Sequence, residues 1–274
     1  MSDANVAMLD EAIAAASRAG VTVRELSTVE VDAAATLLRV MWGSGVVEPP
    51  MMVALRHAGA YVAGAFSDNR LVAVCVAYFA EPLGKVLHSH VAAVAPGNGH
   101  RGIGMALKLH QRAWAGVRGL RWITWTFDPL VARNASFNLN RLRVEVAEYL
   151  VDFYGQMPDA VNAGQGSDRL LARWDVASTH GEAVSGSQGL SVRVAQAAPL
   201  LVAGPDEKPV LTPLDADVSL ITVAVPADIE AMRRENSTVA THWRHAVREA
   251  LQDRIVLGWT IIGFEGNRYV LEAP

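Results

Sequence analysis

The sequence predicts a mixed α/β fold: a mostly antiparallel sheet flanked by helices, followed by a smaller C-terminal α/β domain. Three observations carry that prediction. Three consecutive β-prone runs, YVAGAF, LVAVCVAYF and KVLHSHVAAVA, are separated only by short turn and loop signals and read as an antiparallel meander. The meander ends at Pro96 in a Gly-rich loop, and Gly102-Ile103-Gly104 then opens an apolar-periodic helix. Strand and helix patterns keep alternating beyond it, which sets helices against the faces of a mixed sheet.

Composition narrows the class. The chain has 274 residues, 51% hydrophobic and 19% charged, enough apolar material for one large domain or two modest ones. A net charge of −4 supplies no overall basic field, so nucleic acid is not an expected partner. The single cysteine, Cys75, excludes an intramolecular disulfide and fits a reducing cytoplasm. Its place inside LVAVCVAYFA reads as a buried structural thiol. The N-terminal MSDANVAMLDEAIAAASRAG mixes acids into its apolar residues, unlike a signal peptide. No run approaches the roughly 18 apolar residues of a membrane span, so no membrane partner is expected.

The elements follow from local signals. Val6, Leu9, Ile13 and Ala16 give a helix over 4–18, ended by Gly20, and VTVREL alternates as a first strand. Ser27 and Thr28 offer caps for a helix through Met41. WGSGVVEPPM is a loop, with a short helix near 52–57 after it. Ser67-Asp68-Asn69-Arg70 joins strands 61–66 and 71–79 as a tight hairpin, and 85–95 is the next strand. The helix opened at Gly102 runs to about Val117, with Ile103, Leu107, Leu109, Ala113 and Trp114 on its apolar side. Strand LRWITWT, a helix over about 131–142 and strands 144–153 and 168–176 complete a domain spanning 1–177. STHGEAVSGSQG makes 178–190 a linker. In 191–274, LSVRVAQA and SLITVAVP read as β runs, 227–234 and 238–254 as helices, and WTIIGFEGNRYVLEA as a hairpin turning at Gly266-Asn267.

The strand, Gly-rich loop and helix N-terminus together offer backbone N–H groups to phosphate oxygens. Two familiar phosphate loops do not fit. A Walker A loop needs a Lys-Ser/Thr pair after its glycines, and a dinucleotide fingerprint needs a parallel βαβ unit with an acid about twenty residues on.

VAPGNGHRGIGMAL instead resembles the strand, pyrophosphate loop and helix signature Q/R-x-x-G-x-G/A of the general N-acyltransferase (GNAT) superfamily. Gly102 and Gly104 occupy its glycine positions, while Gly99 stands where Gln or Arg is usual, a departure that Arg101 would offset. LKLHQRAWAGVRGLRWITWTFDPLVARNASFNLNRL, with YLVDFYG and SDRLLARWD, is similar to a GNAT subfamily carrying a C-terminal W-R-x-x-x-R-E helix, matched by Trp243, Arg244, Arg248 and Glu249. The resemblance implies acetyl-CoA or another acyl-CoA as co-substrate and no metal. It implies that backbone groups of Ala93, Val94 and Ala95 hold the pantetheine arm. Those of His100, Arg101, Gly102, Ile103, Gly104 and Met105, with Gly99, would wrap the pyrophosphate.

Acyl transfer from a thioester needs a base for the acceptor ammonium, a positioned amine and a stabilised oxyanion. The superfamily's base position, counted back from Val94, falls on His88, and His90 shares its strand face. Both remain candidates beside the reading of a buried strand histidine. NASFNLNRLRV lacks the superfamily's thiolate-protonating Tyr, so Tyr154 is the candidate acid. Asn134 and Asn138 are candidates for the pantetheine or acyl carbonyl, and Asn134 also reads as a helix cap. The acceptor would enter near WGSGVVEPPM and Trp125, with Glu48 or Asp128 fixing its ammonium, although Trp125 also reads as core.

The expected activity is direct transfer of an acetyl, succinyl or other short acyl group to a primary amine of a small molecule, an amino acid among the options. A non-catalytic CoA-binding sensor is the alternative reading. The C-terminal domain would either cover the acceptor cleft or build a homodimer interface.

Overall fold

The structure, a computed structural model, describes residues 2–43, 46–99, 101–155, 166–178 and 187–274. The chain packs as two units, one of residues 1–125 and 175–178, the other of 126–174 and 179–274.

In the first unit, α1 (Asp3–Arg18) is capped by Ser2, whose hydroxyl accepts the Asn5 N–H. It leads into β1 (Thr22–Glu25). A capping box between Ser27 and Glu30 starts the turn into α2 (Val31–Trp42), and α3 (Pro49–His57) follows with prolines in its first turn. The meander is β2 (Tyr61–Ser67), β3 (Arg70–Ala80) and β4 (Val86–Val94). Asp68 and Asn69 both take positive φ, 48° and 63°, as a two-residue hairpin turn requires. Then come α4 (Ile103–Val117) and β5 (Trp122–Phe127), a strand the chain follows out of this unit. β1, β2, β3 and β4 pair antiparallel in that order, and β5 lies parallel to β4. The sheet is therefore mixed and mostly antiparallel, as expected.

One core layer lies between α2, α3 and the sheet, where Leu26, Leu38, Met52, Val62, Val74, Val76, Val91 and Ala93 are buried together. Gly64 makes this closeness possible: a Cβ there would stand 2.4 Å from Leu71 Cδ1 and 2.8 Å from Leu26 Cδ2. On the other face lies α4, which buries far more than one stripe. Lys108, Gln111 and Arg112 are buried with its apolar residues. Arg112 reaches the Val176 carbonyl at 2.9 Å, the Glu11 carboxylate at 2.8 Å and the Ser178 carbonyl.

The second unit contains α5 (Ala132–Ser136), continued by a single wide π turn over Phe137–Arg141, and the antiparallel pair β6 (Glu145–Leu150) and β7 (Arg169–Asp175). Next are α6 (Ser187–Gln196), β8 (Ala198–Ala203), β9 (Pro209–Leu211), β10 (Leu220–Ala224), α7 (Ile229–Glu235), α8 (Ser237–Val256), β11 (Thr260–Glu265) and β12 (Arg268–Glu272). Its sheet runs β11-β12-β10-β8-β9, with β8 parallel to β10.

Two sequence expectations change. LSVRVAQA is helical rather than β: α6 sets Leu190 against Gly263, where a Cβ would meet Leu190 Cδ1 at 2.8 Å. The helix expected over 131–142 divides into α5 and the π turn. Within the second unit Asp128, Asn140 and Asp168 bond Arg244, Phe264 and Arg248. Of the expected linker, 179–186 lies outside the described residues, as does 156–165 of the loop before β7. Among the described residues no helix is long and apolar enough to cross a membrane.

Candidate active site

The site is built where β4 and β5 part. β4 is VLHSHVAAV, rich in β-branched and small residues, and its register against β3 slips between Val76 and Ala77. That bulge leaves His90 as the extra residue, with Val91 opposite Val76 and Ser89 opposite Ala77. The rings of His88 and His90 both lie against Tyr78, with centroids 5.4 and 5.7 Å away, so the two histidines share a neighbourhood as expected.

β4 and β5 are paired only at Val86 with Trp122, Leu87 with Ile123 and His88 with Thr124. Beyond that last rung the strands form a fork. The Ala95 N–H donates to the Val72 carbonyl at 2.8 Å, and the Ala95 carbonyl accepts the Asn98 N–H at 3.1 Å. Strand alternation then turns Ala93 toward β3 as well, and Val94 toward the open edge. Of the three residues expected to offer backbone groups there, Val94 is free to do so, and Ala95 is corrected to a residue already bonded on both sides. Ala92 is exposed, so the fork opens to solvent at this level.

The loop after β4 supplies the second part. Gly97 and Gly102 adopt φ of 78° and 81°, a left-handed backbone that glycine takes without strain. Gly102 caps α4, and the first bond of the helix is from the Ala106 N–H to the Gly102 carbonyl at 3.0 Å. The N–H groups of Ile103, Gly104 and Met105 therefore have no acceptor within the helix, and no acidic residue stands in its first turn. A Cβ at Gly99 would meet nothing within 4 Å, so the backbone there is uncovered. Arg101 is exposed, its Nη1 donating to Asn98 Oδ1 at 3.4 Å and its Nη2 lying near Gly20. His100 lies outside the described residues. Uncovered donors, a cation and no acid fit a pyrophosphate.

Beneath the fork lies a polar cluster that sequence reasoning missed. Lys108 Nζ donates to Ser89 Oγ at 3.0 Å and to Gln111 Oε1 at 3.4 Å, and sits 3.7 Å from the Trp125 ring centroid. Gln111 Nε2 reaches Cys75 Sγ at 3.3 Å. Burial pushes the Lys108 amine down to about 8, and pushes the Cys75 thiol up despite Lys108, leaving it a neutral structural group. The available signal was the spacing of Lys108, Gln111 and Arg112 among apolar residues of one helix.

Burial, then the nearby His90 and Lys108, lower His88 to about 4; burial lowers His90 as well. Both imidazoles are neutral at physiological pH, with a lone pair open to a proton, and burial makes His88 a weak base. His88 Nδ1 is 3.2 Å from Thr124 Oγ1, a bond that orients its ring across the last rung.

No protein-family model and no curated protein matches the chain. Solved structures do. The ribosomal-protein-S18-alanine N-acetyltransferase from Escherichia coli aligns over 61% of this chain and 99% of its own, at 14% identity and a TM-score of 0.48. A Salmonella typhimurium protein solved with its cofactor acetyl-CoA aligns over the same shares at 12% identity and 0.48. Aminoglycoside 6′-acetyltransferase type Ii aligns over 58% and 99% at 13% identity and 0.46. These are likenesses to acetyltransferase structures. At such identities they carry no substrate information.

The remaining sequence candidates fall in other surroundings. Trp125 is buried against Lys108 and is core rather than acceptor-facing. Glu48 is exposed at the start of α3, 3.6 Å from Arg39. The others belong to the second unit. Tyr154 shares a 3.2 Å hydrogen bond with Thr126 and faces the Arg169 guanidinium. Asn134 is exposed on α5, while Asn138 is buried, its carbonyl accepting the Val144 N–H.

Asp128 requires correction. Far from being open to a substrate ammonium, it is buried, with Arg244 donating to both its oxygens and Arg233 to one, and Arg169 is 3.9 Å away. Burial alone would raise this carboxyl, but Arg244, Arg233 and Arg169 hold it well below the usual carboxylate range. A second pair lies alongside: Arg248 donates twice to Asp168, which also accepts the Tyr149 hydroxyl. The arginines of the W-R-x-x-x-R-E helix thus serve carboxylates of their own unit.

Proposed function

We propose that this protein is a CoA-dependent N-acyltransferase that moves an acetyl or other short acyl group from acyl-CoA directly to a primary amine of a small molecule, an amino acid being one class. The observation that carries the reading is the combination of an open β4 edge at the fork with an uncovered helix N-terminus immediately after it. Val94 would bond the pantetheine arm, and the N–H groups of Ile103, Gly104 and Met105, helped by Arg101, would bind the pyrophosphate. His88 would take the acceptor's proton. Its neutral imidazole sits beside the fork, held by Thr124. The thioester is already activated, so orientation and proton transfer are what the chain must supply.

The test is thiol release from acetyl-CoA and succinyl-CoA across a panel of amines, with the acylated amine identified by mass. Turnover with a donor and an amine together, and none with either omitted, supports the reading. CoA binding without turnover on any amine would favour a CoA-binding sensor.

A further inference from the structure

We propose that Lys108 is a catalytic residue: the acid that protonates the departing CoA thiolate at the apex of the β4–β5 fork. This rests on the acyltransferase reading above and deepens it.

The geometry singles out this amine. His88 and Thr124 form the last rung between the strands. The next residue on each strand is Ser89 and Trp125, and Lys108 Nζ contacts both, at 3.0 Å from the Ser89 hydroxyl and 3.7 Å from the Trp125 ring centroid. Side chains alternate along β4, so His88 and the Ser89–Lys108 contact leave the strand on opposite faces. A base and an acid thus flank the point where the strands separate, which suits entry of a nucleophile from one side and departure of a sulfur to the other.

The electrostatics point the same way. Lys108 is 6% exposed, and among the described residues no carboxylate pairs with it. The titratable groups that interact with it are Cys75 from β3 and His88 from β4, with His90 beside His88; β4 also presents Ser89, β5 presents Trp125, and α4 presents Gln111. All of these are neutral near pH 7. The Ser89 and Gln111 bonds and the Trp125 ring hold the amine in place, but none of them neutralises the buried charge as a counter-ion would. An amine near 8 is, however, closely matched to a thiol, whose ordinary value is about 8.5.

The acceptor ammonium gives one proton to His88, and its nitrogen then forms the C–N bond to the acyl carbon. The C–S bond breaks with its electron pair going to sulfur, which takes a proton from Lys108 Nζ. The second proton of the acceptor nitrogen returns through water to Lys108, and His88 releases its proton to solvent.

The test compares wild type with Lys108→Met and Lys108→Gln, using two readouts. Bound CoA is titrated by thiolate ultraviolet absorbance: its thiol should ionise at lower pH on wild type than on either variant, by about tenfold in acidity. In turnover, each variant should keep its KM for acetyl-CoA within a few-fold, lose kcat by about 100-fold, and lose the alkaline limb near pH 8. Folded variants with unchanged kcat and an unchanged thiol titration would overturn the proposal, as would a loss of that limb in Tyr154→Phe instead. If neither variant folds, a wild-type kcat that stays level from pH 8 to 10 overturns it, and a fall centred near 8 supports it. Wild type that binds CoA but turns over no amine would overturn the acyltransferase reading itself, a result separable from any variant's behaviour.

Discussion

Arg244 donates to both carboxylate oxygens of Asp128, at 2.8 and 2.7 Å, across 116 residues of sequence. With Arg233 and Arg169 beside it, the centre holds α7 and α8 against the segment that follows β5 and against the start of β7 within the second unit. This gives the C-terminal extension a structural task that its sequence does not announce.

Replacing Asp128 by Asn is therefore expected to cost stability rather than acceptor affinity. Removing one partner of a buried ionic centre typically costs about 3–5 kcal/mol. Urea unfolding should show a loss of that size, and a loss below about 1 kcal/mol would contradict the account. The sign of the pH dependence follows from the held-down carboxyl. The stabilisation is fully present above the ordinary unfolded value of about 4, and is lost as pH falls through the folded one. The Asn variant should lack this part of the acid unfolding.

Lys108→Met should make the protein more stable. The amine sits at about 8 when folded and at 10.5 ordinarily, so at pH 7 folding works against a buried charge. The variant should unfold about 1–3 kcal/mol later at pH 7, and the gap should close as pH rises from 8 to 10.5, where the wild-type amine is neutral in both states. Urea titrations at pH 7 and pH 10 measure this. A variant less stable at pH 7 would mean that the Ser89 and Gln111 bonds outweigh the charge burial.

Histidine 88 sets the acidic side of the activity profile. Its value of about 4 means that kcat/KM should hold down to roughly pH 4–5 and fall below, rather than near the ordinary 6.5. His88→Ala should lower kcat by about 100-fold. An unchanged rate in both His88→Ala and His90→Ala would remove the base assignment and leave the donor site standing.

How much of this was legible depends on range. The β2–β3 hairpin was readable because Asp68-Asn69 tolerates the positive φ its turn needs, and the loop into α4 because its glycines and helix start are contiguous. The ionic centre was not. Asp128 met as a residue looks like an available acid, and only folding brings Arg233 and Arg244 to it. Lys108 was hidden because one apolar stripe predicts one buried face, whereas α4 is covered on more of its circumference. The α6 segment alternates Leu190, Val192 and Val194 with polar residues, a strand pattern that packing of Leu190 on Gly263 overrides.

Calorimetric titration decides whether the loop and the first turn of α4 hold the pyrophosphate of an acyl-CoA. Wild type should bind acetyl-CoA and lose at least about tenfold in affinity for S-acetylpantetheine, which lacks the pyrophosphate. Gly104→Asp, which sets a negative charge among the free N–H groups, should weaken acetyl-CoA to a similar degree. Equal affinity for the two donors, or acetyl-CoA binding untouched by the Asp, would contradict it.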